Sequence, residues 1–166
     1  MKIISALLFL AINTSIAIAQ LPGYSKVDIA GTYTLVTVDN ILADGTRVHL
    51  YGDQPQGLLI FDKLGNYSLQ IMSLERPKFA LGDKAKGTDE ENREAIKGCN
   101  THFGTFNIDA DKQIITFNIS HALFPNWEGI SQKRPFTLSK GLFKYSVPSP
   151  TTGGTVTGEV VWKKLD

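Results

Sequence analysis

Arg134, Gln132 and His121 are the side chains whose types and spacing could do chemistry in this chain. They belong to the stretch 121–138, H-A-L-F-P-N-W-E-G-I-S-Q-K-R-P-F-T-L. A β-strand over 130–139 places Gln132, Arg134, Phe136 and Leu138 on one face, because successive strand side chains alternate sides. A strand over 113–121 places Ile115, Phe117, Ile119 and His121 on one face. An arginine, a glutamine and a histidine then point the same way as core residues, and inward polar groups need partners. Arg134 has two readings. It is a fixed guanidinium that anchors a carboxylate or polar head group, or a structural plug stacked on Tyr33, Trp127 or Trp162 and bonded to backbone carbonyls. Gln132 shares that choice. His121 is a general base if a substrate proton comes within reach, and otherwise a core histidine with a protein acceptor. Tyr51, Tyr67, Gln70, Met72, Trp127 and Trp162 are candidate walls of a small-molecule site, where aromatic and Met-rich linings carry a few polar groups.

The elements that position these residues are strands. Runs at 31–38, 46–51, 57–61, 67–72, 101–109, 113–121, 130–139, 142–147 and 155–163 are separated by turn signals such as Asp39-Asn40, Asp44-Gly45, Gly65-Asn66 and Lys140-Gly141. The run 57–61 is nearly continuous in apolar residues and reads as a strand buried on both faces or covered at one end. One helix interrupts the series. Thr88 and Glu91 form a T-x-x-E capping box, Asp89, Glu90 and Glu91 suit the positive end of the helix dipole, and Gly98 ends the pattern. These elements predict an all-β fold, an up-and-down antiparallel β-barrel of eight or nine strands with one inserted short α-helix. A barrel of about eight strands is filled by side chains or holds one small ligand.

Composition narrows the partners. With 17 basic and 16 acidic residues the formal net charge is +1, so no electrostatic footprint for nucleic acid is present. Lys2, the apolar run 3–12 and Ala17-Ile18-Ala19 read as a signal peptide over 1–19, with residues 20–30 a leader, loose over 20–27, and 31–166 the barrel domain. No integral membrane segment is expected after cleavage, and the mature protein is expected in the periplasm or secreted. The single cysteine, Cys99, reads as a small buried apolar residue. No metal site is expected. His49, His102 and His121 match no ligand spacing, and no cofactor motif is present.

The chain also resembles the lipocalin-like domain proteins of bacteria and fungi, over residues 31–162. The marks are Gly31-Thr32-Tyr33, Tyr51-Gly52 with Pro55 and Gly57, Gly65 with Ser68, Gln70 and Met72, and Arg76-Pro77. They continue with Gly104-Thr105-Phe106, Pro125-Asn126-Trp127 with Gly129, Gln132 and Arg134, and Val161-Trp162. The resemblance implies a calycin-type barrel and a small, largely apolar ligand, without a fixed activity. Three functions follow as expectations. The first is an exported carrier of a small hydrophobic or amphipathic molecule. The second is an isomerase or cyclase of small-molecule metabolism that uses the cavity, with His121 or Arg134 handling protons or charge. The third is an interaction module with a filled barrel, its contact surface the loop 74–87 and the acidic helix.

Overall fold

Alternation along the strands fixes which side chains enter the interior, and it holds in most of them. A computed structural model describes residues 24–150 and 157–165. The signal segment and the start of the leader lie outside the described residues. The elements in chain order are α1 (Lys26–Ile29), β1 (Gly31–Ile41), β2 (Arg47–His49), β3 (Gln56–Phe61), β4 (Asn66–Met72), α2 (Asp89–Lys97), β5 (Cys99–Asp109), β6 (Ile114–Ala122), β7 (Ser131–Ser139), β8 (Leu142–Val147) and β9 (Thr157–Lys164). Strands β1 and β3 to β9 pair antiparallel in sequence, and β9 pairs back onto β1. Eight strands therefore close a barrel, and β2 is an extra strand on the far half of β1. Closure leaves the eight without a free edge.

Hairpins join neighbouring strands. The β3–β4 turn is held by Asp62, whose carboxylate accepts hydrogen bonds from the Leu64 and Asn66 backbone N–H groups and the Asn66 amide. Gly65 turns there at φ +97°, a conformation that favours glycine. Helix α2 carries the capping box read from the sequence. The Glu91 N–H donates to Thr88 Oγ1 at 3.2 Å and the Thr88 N–H to Glu91 Oε2 at 2.8 Å. Gly98 is its C-cap.

One half of the interior is solid. Tyr33, Phe61, Phe106, Phe117, Phe143 and Trp162 are almost wholly buried. Phe61 is their hub, with ring centroids 4.7 Å from Phe106, 5.4 Å from Phe143 and 6.0 Å from Tyr33. Burying a large apolar side chain contributes roughly 1.5–3 kcal/mol, so this aromatic layer is a major part of the core. The end of the leader closes the barrel beneath it, which corrects the expectation of a loose segment there. Ile29 is fully buried, the Tyr33 hydroxyl donates to its carbonyl at 2.7 Å, and the Tyr24 hydroxyl donates to the Leu138 carbonyl at 2.7 Å. Lys26 lies over the Phe106 ring and Lys164 over the Tyr33 ring.

Two expectations about facing are corrected. Strand β3 is not covered on both sides, since Leu58 and Ile60 are exposed while Leu59 and Phe61 are buried. Two strands also carry an extra residue. In β1 the register slips between Leu35 and Thr37, so Val36 is unpaired and exposed. In β6 the pairs are Ile119 with Gly104 and His121 with Phe103, which leaves Ser120 as the bulge. A bulge residue inverts the facing of everything after it, so His121 is exposed instead of following Ile119 inward. Gly104 makes the bulge possible. A Cβ there would lie 2.1 Å from the Asn118 carbonyl oxygen and 2.8 Å from the Ser120 nitrogen.

Candidate functional site

The other half of the barrel is hollow. A cavity of about 650 Å³ lies among the ends of β1, β4, β6 and β8 and the starts of β5, β7 and β9. Phe117 forms the boundary with the solid half, because it lines the cavity and stacks on Phe61 at 6.1 Å. Ile71, Tyr145 and Val160 are further wall residues. Trp127, Phe124, Ile130, Leu50 and Ile96 of α2 also line it, and the last four expose apolar surface. Trp127 is carried by a single 3-10 turn, Pro125–Trp127, in the β6–β7 connection.

The structure brings together only part of the set read from sequence. Tyr51, Trp127, Gln132 and Arg134 line the cavity. Tyr67 and Trp162 are buried, Tyr67 behind His102 and Trp162 in the aromatic layer. Gln70, Met72 and His121 are corrections. Gln70 is exposed, and Met72 is half-buried with its Sδ accepting from Arg76 at 3.2 Å. Both share a strand face opposite to Tyr67, Leu69 and Ile71, so strict alternation excludes them from any wall that Tyr67 belongs to. His121 sits outside beside Phe103, at a centroid distance of 5.6 Å, and 3.4 Å from Glu128. Cys99, read as buried, is half-buried and lines the cavity.

Arg134 is half-buried. Its Nη2 donates to Gln132 Oε1 at 2.6 Å and its Nη1 to the Lys133 carbonyl at 3.1 Å. No carboxylate lies within ion-pair distance of it among the described residues. Burial pushes its pKa below the usual value, and the nearby Tyr145 opposes that. A guanidinium has five donors and stays charged at physiological pH. Two donors are occupied by neutral acceptors. Among the described residues Arg134 stacks on none of Tyr33, Trp127 and Trp162, while its bond to the Lys133 carbonyl is the part of the plug reading that holds.

His102 is the polar wall residue that the sequence reading did not place in the site. Alternation back from Phe106 through Gly104 puts it inside, which was the available signal. It is 6% exposed, and its Nδ1 lies 2.8 Å from the Tyr67 hydroxyl. Its ring meets Trp127 edge to face at 5.9 Å. Burial, with a smaller contribution from the Arg134 charge, lowers its pKa from 6.5 to about 4, so the ring is neutral near pH 7. Burial likewise raises Tyr145 to about 12 and raises Tyr51 and Tyr67. All three phenols are therefore neutral near pH 7.

Asp39 also lines the cavity, but its charge is spoken for. Burial would raise its pKa, yet hydrogen bonds from Thr37, His49 and Arg47 outweigh that and hold it below the usual range. Arg47 Nη1 lies 2.8 Å from Asp39 Oδ2 and 2.8 Å from Glu159, and His49 Nδ1 lies 2.7 Å from Asp39 Oδ1. The three histidines thus occupy three separate environments. Among the described residues no group of three metal-ligating side chains converges. No described helix is long and apolar enough to cross a membrane.

A closed antiparallel barrel, solid at one end and hollow at the other, is the architecture of small-molecule binding barrels. A family model for a lipocalin-like domain matches residues 30–165, and the chain belongs to that family. A comparison with curated protein sequences found no match.

Proposed function

We propose that this protein is an exported carrier or binding protein that encloses a small hydrophobic or amphipathic molecule in the hollow half of its barrel. The observation that carries the reading is the cavity. Its volume of about 650 Å³ falls inside the range of small-molecule sites, roughly 300–1,000 Å³. Its lining joins aromatic and aliphatic walls to a few polar groups. That volume also argues against the filled-barrel interaction module. The enzyme reading loses one of its two residues, because His121 lies outside the cavity. Export rests on the residues alone: Lys2, the apolar run after it and Ala17-Ile18-Ala19.

The test is titration of the mature chain, from Gln20, with the neutral apolar probe N-phenyl-1-naphthylamine. Saturable binding at about one probe per chain, with quenching of Trp127 emission, is the expected result. Trp127→Ala should lose the quenching that Trp162, buried in the aromatic layer, does not give. Absence of saturable binding would end the carrier reading. N-terminal sequencing of exported protein should begin at Gln20.

A further inference from the structure

We infer that the cavity selects a ligand with a monoanionic carboxylate head, held by the Arg134 guanidinium beside Gln132 and His102. This rests on the carrier reading above and names the chemical class that the same site takes.

The charged side chains of the cavity wall are Asp39, Lys97, Lys133 and Arg134. Asp39 is a carboxylate already matched by Arg47 and His49. Lys97 is paired with Glu94 at 2.7 Å. Lys133 is exposed on the opposite strand phase to Arg134. Tyr51, Tyr145 and His102 are neutral near pH 7. Arg134 remains, a half-buried cation whose acceptors among the described residues are an amide oxygen and a backbone carbonyl. Taking a cation partly out of water is costly unless an anion compensates it, and a planar guanidinium matches a carboxylate with two parallel N–H···O bonds.

Gln132 and His102 sharpen the geometry. The Gln132 amide oxygen orients the guanidinium edge at 2.6 Å. The Tyr67 hydroxyl occupies His102 Nδ1. When that hydroxyl donates, the ring proton sits on Nε2, which makes no other hydrogen bond among the described residues. His102 then offers an uncharged donor in the same wall. One partly buried unmatched charge and one neutral donor suit a monoanion, and a dianionic phosphate head would carry a charge with no partner inside the wall. Phe117, Ile71 and Val160 provide the apolar surface for the tail.

The experiment is displacement of N-phenyl-1-naphthylamine from the mature protein at pH 7.5 by decanoic acid, 1-decanol, decylamine and decyl phosphate. Decanoate is expected to bind at least about tenfold more tightly than decanol, the scale of a charge-assisted hydrogen bond, and more tightly than decyl phosphate or decylamine. Arg134→Met should remove the acid-over-alcohol preference while still binding the neutral probe, and Arg134→Lys should keep part of it. In wild type, decanoate should also raise the His102 pKa, read from its ring resonances by NMR. Equal binding of decanoate and decanol would overturn the carboxylate assignment and leave the carrier reading standing. Tighter binding of decyl phosphate or decylamine would overturn it too. A preference that survives in Arg134→Met would overturn the role of Arg134. Failure of the neutral probe itself in wild type would overturn both readings.

Discussion

The Tyr67 hydroxyl and His102 Nδ1 lie 2.8 Å apart in the barrel wall, and the two rings meet edge to face at 5.4 Å. Burial keeps this histidine neutral, and the Tyr67 hydroxyl gives its Nδ1 a partner. The linkage sign follows from the direction of the shift. His102 has a folded pKa of about 4 against an ordinary value of 6.5. Between those values the unfolded chain binds more protons, so stability falls as pH drops from 6.5 to 4. The loss should reach about 2 kcal/mol by pH 5 and about 3 kcal/mol below pH 4. Urea melts of wild type and His102→Phe from pH 7 to 4.5 should show a shallower slope in the variant, and parallel slopes would contradict this.

Tyr67→Phe leaves His102 Nδ1 without its partner. A stability loss of about 1–2 kcal/mol at pH 7 is expected. The His102 resonances should shift with it. A neutral effect on both would mean that the hydrogen bond is unimportant in solution.

Asp39 ties the extra strand β2 to the barrel through Arg47 and His49. Its lowered pKa means that this stability is present above the ordinary carboxylate value and is lost as pH falls through the folded one. Asp39→Asn should cost about 1–3 kcal/mol, the scale for removing one partner of a buried polar network with half-exposed cations. Hydrogen exchange should show β2 opening before the rest of the sheet.

Gly104 and Ser120 face each other across the β5–β6 bulge. Gly104→Ala places a methyl group against backbone atoms that cannot move aside, so a destabilisation of more than about 2 kcal/mol is expected. His121→Ala, one residue past the bulge and on the outside, should change stability by less than about 0.5 kcal/mol and leave probe binding intact. Loss of probe binding in His121→Ala would reinstate the inward placement.

Thr88→Ala removes a hydroxyl that caps α2 at the Glu91 N–H. A cost of about 1 kcal/mol is the usual scale for such a cap. Because α2 carries Ile96 to the cavity rim, probe dissociation should accelerate as the helix frays.

Most of the architecture is legible in the residues. Period-2 patterns, most turn dipeptides and the T-x-x-E box located the strands and the helix, since these depend on neighbours in sequence; Asp39-Asn40, read as a turn, lies inside β1 and pairs with β2 and β9. The site is legible only where that counting runs unbroken. In β7, alternation from Phe136 and Leu138 puts Gln132 and Arg134 inside, and both line the cavity. In β4 the same rule separates Gln70 and Met72 from Tyr67. The set that joined them to one wall mixed two faces of one strand. In β6 the rule fails, because Ser120 inserts an extra residue and turns His121 outward.

The sequence by itself determined an antiparallel β protein with a capped helix, and an arginine and a glutamine on an apolar strand face. Those features are local: backbone alternation, turn conformations and end caps are set within a few residues. Only the tertiary structure decided that His121 faces outward, that the barrel is solid at one end and hollow at the other, and that Arg134 stands in the hollow without a carboxylate. A bulge depends on which residue the neighbouring strand presents. A cavity is what eight strands together leave unfilled. The charge balance around one guanidinium is a sum over side chains from distant parts of the chain.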